Sequence, residues 1–127
     1  MKIAWIDHMY HDGFDGNKDS LDEYLKEYNF NSKIDIERDL SSFIKKFGSL
    51  EKYRTLILHS GLRNQKDYLE RIPKKHPELK IYFLSYSPED YIEFKKREIR
   101  VMQVSYALPE IIKESELGEL IEKLTKN

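Results

Sequence analysis

Apolar and polar positions alternate along this chain in blocks that predict strands and helices in turn. Lys2–Asp7 is an apolar run ending in Asp7-His8 and reads as a strand. A polar loop leads to a helix from Ser20 to about Tyr28, where Leu21, Tyr24, Leu25 and Tyr28 fall on one face and Asp19 or Ser20 can cap. Lys33–Glu37 alternates Ile34 and Ile36 with charge, the pattern of a half-exposed strand. The next helix starts at Asp39, carries Leu40, Phe43, Ile44 and Phe47 on one face, and stops at Gly48. Thr55–Leu58 is short and uninterrupted, as a buried central strand is, and it runs into His59-Ser60.

The same alternation continues to the end of the chain. Gln65–Lys75 reads as a helix burying Tyr68, Leu69 and Ile72 and ended or kinked by Pro73. Lys80–Leu84 is a second buried strand, running into Ser85. Ser87-Pro88-Glu89 opens a fourth helix, with Tyr91, Ile92 and Phe94, because proline at the first turn sacrifices no hydrogen bond. Arg100–Val104 is the fifth strand. One last helix runs from within Pro109–Ser115 to Leu124, with Leu117, Leu120, Ile121 and Leu124 inward.

Five strands alternating with helices predict a single α/β domain over residues 1–127: a five-stranded parallel sheet covered by helices on both faces. The expected strand order is 2-1-3-4-5, the flavodoxin-like arrangement, which binds ligands at the carboxyl ends of strands one and three. That order gathers Asp7, His8 and His59, with Ser85 beside them. At 127 residues the chain suffices for one core, burying about 65–70% of the unfolded surface.

Charge changes the picture by exclusion. The 22 basic and 23 acidic residues are interspersed, so no one-sided field draws nucleic acid. Without cysteine there are no disulfides or thiolate metal sites. Asp7 interrupts any signal-peptide core, and no apolar run approaches the roughly 20 residues that span a bilayer, so the expectation is a cytoplasmic protein without membrane contact. The charge-rich, cysteine-free composition is also thermophile-like.

The layout resembles a response-regulator receiver domain over nearly the whole chain. Receivers carry paired acids after strand one, where this chain has Asp7-His8, and a phosphate-accepting Asp after strand three, where it has His59. The Ser or Thr ending strand four is matched by Ser85. The Lys before a Pro after strand five becomes Leu108 before Pro109. The resemblance implies the fold and a degenerate phosphorylation pocket made of Asp7, His8, His59, Ser85 and Leu108. It does not carry over aspartyl phosphorylation, which needs the missing carboxylate and Lys. The resulting expectation is a non-catalytic, pseudo-receiver signalling domain. It acts on a protein partner or as a homodimer through the fourth helix, fifth strand and last helix, with Tyr91, Lys95, Gln103 and Tyr106 exposed there.

Two other functions stay open. The loop from His8 to Asp19 adds His11 and several carboxylates, and imidazoles with carboxylates suit Zn²⁺, Mn²⁺ or Ni²⁺. A small metal- or histidine-assisted phosphoesterase or nuclease would use Asp7, His8, His11 and His59. His59 would serve as base, with Asp7 orienting its ring. Otherwise His59 simply fills the former acceptor position and bonds Asp7. A flavin or mononucleotide binder would stack its ligand on Tyr10, Tyr86 or Tyr106. The leading expectation includes no cofactor.

Overall fold

The computed structural model describes residues 2–59, 70–85, 99–101 and 105–126. Four strands, β1 (Ile3–Asp7), β2 (Ile34–Glu37), β3 (Thr55–His59) and β4 (Lys80–Ser85), form a parallel sheet in the order β2-β1-β3-β4. A three-residue segment, β5 (Ile99–Val101), pairs in parallel along the outer edge of β4. The expected strand to Val104 thus starts one residue earlier, and residues 102–104 lie outside the described residues. So do Ser60, Gly61 and the expected helix from Ser87, with Tyr91 and Lys95.

The period-two alternation of the strands sorts their side chains onto two buried faces. Ile3, Trp5, Ile57, Tyr82 and Leu84 pack with α1 (Lys18–Glu27), α4 (Pro109–Glu114) and α5 (Glu116–Thr125). Ala4, Ile6, Leu56, Leu58, Ile81 and Phe83 pack with α2 (Leu40–Phe47), a 3-10 turn at Leu50–Lys52 and α3 (70–75). With both faces covered, the central strands are apolar without interruption.

Local chemistry sets the element ends. Asp39 caps α2 by accepting from the Ser42 amide at 2.7 Å, and Gly48 ends it at φ +90°, a conformation glycine adopts without strain. Helix α1 begins at Lys18, two residues before the expected start, and its N-cap is Asn17, not Asp19 or Ser20. Helix α3 continues through Pro73 to residue 75.

Two expectations are corrected by packing. β2 is not half-exposed: Asp35 is buried, accepting from the Tyr53 hydroxyl at 2.5 Å and paired with Lys2 at 3.0 Å. The last helix is two helices, because Ser115 takes an extended conformation and caps α5 through the Gly118 amide at 3.2 Å. A Cβ on Gly118 would lie 2.2 Å from the Ile112 carbonyl oxygen, so only glycine allows α5 to approach α4 this closely. Among the described residues no helix is long and apolar enough to cross a membrane.

Candidate functional site

The sheet register builds the site. Asp7 ends β1, His59 ends β3, and the two are paired neighbours in the ladder. The His8 amide continues the pairing by donating to the His59 carbonyl at 2.7 Å. Beyond it the chain turns on Asp7, whose Oδ1 accepts from the Met9 amide at 2.9 Å and whose carbonyl accepts from the Tyr10 amide at 2.9 Å. This is the turn that a short acidic side chain forms with the amide two residues on.

The Asp7 carboxylate has no exposed surface and is ringed by donors. Trp5 Nε1–H donates to Oδ2 at 3.1 Å, the Tyr106 hydroxyl donates to Oδ2 at 2.6 Å, and His59 Nδ1 lies 3.2 Å from Oδ1 and 3.3 Å from Oδ2. Burial acts to raise the Asp7 pKa. The hydrogen bond and charge of His59, the Tyr106 hydroxyl and the Met9 amide outweigh it and hold the carboxyl below its ordinary value. The group is therefore a buried carboxylate stabilised by several donors, the condition under which a buried charge is tolerated.

His59 is buried on the same sheet face as Trp5 and Ile57, and its other ring nitrogen points toward His8. The two Nε2 atoms are 3.4 Å apart and the rings meet edge to face at 78°. His8 is half-buried. Burial and His59 push its pKa below the ordinary imidazole value; Asp7 acts in the opposite sense and His11 in the same one. Asp7, His8 and His59 are the one group among the described residues whose ligating atoms, all within 4.8 Å, could hold a metal.

No family model matches the chain, and searches of curated proteins and of solved structures found no match either.

Of the expected site residues, the fold brings Asp7, His8 and His59 together. His11 stands outside that group, its Nδ1 2.8 Å from the Asp12 carbonyl oxygen. Ser85 closes β4, but its side chain lies outside the description, as do Tyr91, Lys95 and Gln103. Leu108 is exposed at the N-cap of α4. Tyr106, expected on an exposed contact face, is buried: its hydroxyl meets Asp7 and its ring packs edge-on against Trp5 and His59. A tyrosine beside a buried carboxylate places its polar tip there and its ring in the core.

The partners that sequence reasoning missed are Trp5 and Tyr106. Trp5 had a signal, since residues two apart on a strand share a face. Tyr106 lies 99 residues from Asp7 and had none.

The loop after His8 is a closed structure. The Asn17 amide donates to the Met9 carbonyl at 2.7 Å, and the Tyr10 hydroxyl donates to Asp22 at 2.5 Å. The loop carries Phe14, fully exposed, at its tip. A cleft of about 650 Å³ opens beside it, lined by Tyr10, His11, Lys18, Arg38, Lys45 and Lys46 among others, but not by Asp7, His8 or His59.

Proposed function

We propose that this chain is a receiver-like regulatory domain of flavodoxin-like architecture, acting by protein contact and not phosphorylated by the aspartyl route. The observation that carries this reading is the state of Asp7. Its two oxygens accept from Trp5, Met9, Tyr106 and His59, all within the protein. A Mg²⁺ ion demands oxygen ligands in near-octahedral geometry. Here the acid in question is occupied, the second acid is His8, and the acceptor position is His59. These residues do not fit the Mg²⁺ that the family reaction uses.

The parallel order β2-β1-β3-β4, with Asp7 and His59 at adjacent carboxyl ends, supports the architecture. Exposed Leu108 and Ile111 at the start of α4 support a contact surface. Tyr106, two residues before Leu108, ties that surface to Asp7. Incubation with radiolabelled acetyl phosphate and Mg²⁺ tests the reading: no stable label is expected, and stoichiometric label on one residue overturns it.

The Asp7–His59 pair favours one second reading, a histidine-assisted phosphoesterase or nuclease. A carboxylate on Nδ1 fixes the tautomer that leaves Nε2 as base or ligand. Hydrolysis of a generic phosphodiester that disappears in His59→Ala supports it, and no turnover by the folded wild-type protein rejects it.

A further inference from the structure

We propose that His8 and His59 bind a late first-row divalent cation of the Zn²⁺ type through their Nε2 atoms, with Asp7 orienting His59 from behind. The inference stands on side-chain geometry and is independent of the receiver-like reading.

The spacing of the nitrogens is the first argument. Two imidazole nitrogens, each about 2.0–2.1 Å from a tetrahedral ion, stand about 3.3–3.4 Å from one another. The two Nε2 atoms are 3.4 Å apart. That separation is long for a direct hydrogen bond, which for N–H donors is strongest near 2.9–3.0 Å. It is close to the spacing of two imidazole nitrogens on one tetrahedral ion.

The second argument is the carboxylate behind the ring. Metal-bound histidines usually donate their remaining N–H to a carboxylate, carbonyl or water, which fixes the ring and raises its basicity. His59 Nδ1 faces both oxygens of Asp7, at 3.2 and 3.3 Å. Asp7 also accepts from Trp5, Met9 and Tyr106, so it serves as the orienting group and not as a ligand.

Donor type then selects the ion. Two imidazoles favour Zn²⁺, Co²⁺, Ni²⁺ or Cu²⁺ over Mg²⁺ and Ca²⁺, which take oxygen ligands. His8 is half-buried and gives an ion a way in from the loop side. Coordination positions beyond the two imidazoles can go to water or an added donor, as at an open zinc site.

The test is a Co²⁺ titration of the chelator-treated 127-residue chain, followed by visible absorption and by the fluorescence of Trp5, its sole tryptophan. Expected are one saturating Co²⁺ per chain, release by Zn²⁺, and no release by excess Mg²⁺. His8→Ala, at a half-buried loop position, should weaken binding by about tenfold or more. His76→Gln, in the α3–β4 connection, should leave binding unchanged. Asp7→Asn should weaken it about 10–100-fold if the variant keeps its circular dichroism spectrum. Absence of saturable binding to the wild-type protein, or equal affinity in His8→Ala, overturns the proposal.

Discussion

The hydroxyl of Tyr106 lies 2.6 Å from Oδ2 of Asp7, joining the segment that enters α4 to the end of β1. The same hydroxyl is 3.3 Å from His59 Nδ1, so three polar groups share one buried point. Every buried side-chain polar atom among the described residues has a partner. The site is therefore a satisfied network, and removing any member strands the others.

Tyr106→Phe isolates one bond of that network. The ring packing against Trp5 and His59 stays, while a buried carboxylate loses its shortest donor. A hydrogen bond to a charged group is worth about 1.5–3 kcal/mol, and urea unfolding at neutral pH should show a loss in that range. A change under about 0.5 kcal/mol, the size of an ordinary surface effect, would show that the bond carries no stability.

Stability should fall on both sides of neutrality. Asp7 and His8 have pKa values lowered on folding, so the unfolded chain binds more protons than the folded one. Their contributions are present above the unfolded values of 3.8 and 6.5 and are lost as pH falls through the lower folded ones. Tyr10, Tyr24 and Tyr53 are shifted upward, chiefly by burial, with Asp22 and Asp35 adding to Tyr10 and Tyr53. Their contribution is complete below 10.0 and lost as pH rises through the folded values. Thermal melts across pH should show both arms, and His8→Ala should remove the part of the acid arm that begins near 6.5.

Two glycines of the loop after His8 should respond differently to alanine. A Cβ on Gly16 would lie 1.7 Å from the His11 carbonyl oxygen, so Gly16→Ala must open the loop. Gly13 has φ +110° with nothing within 4 Å of its Cβ position, so Gly13→Ala incurs only backbone strain. Chemical denaturation should show a loss on the order of 1 kcal/mol for Gly13→Ala and a larger one for Gly16→Ala, with chemical shifts at His8 and Tyr10 moving only in the second. Equal effects would mean that the loop closure does not depend on Gly16.

The sheet was legible because its apolar runs are short, buried on both faces and ended by polar residues; Asp7 and His59 mark two of those ends. Where the apolar pattern spans two elements it misleads. Ile112, Leu117, Leu120 and Ile121 all face one core, and the break at Ser115 between them leaves no gap in that pattern. Asp35 looked solvent-facing because its partners, Tyr53 and Lys2, are set by packing. The site was half legible for the same reason. Asp7, His8 and His59 follow from strand order, whereas the inward turn of Tyr106 comes from the docking of the C-terminal segment.

The pairing of Asp7 with His59 also bears on how the chain finds one sheet among several. Strands rich in Ile and Leu can align in more than one way with little difference in apolar burial. A slip of one residue between β1 and β3 would carry His59 to the opposite face. It would leave the Asp7 carboxylate in the core without that partner, and stranding a buried polar group in this way costs about 1–3 kcal/mol, more where the group is charged. The polar residues at the strand ends thus act as a checksum on alignment, rejecting sheets that the apolar residues alone would accept.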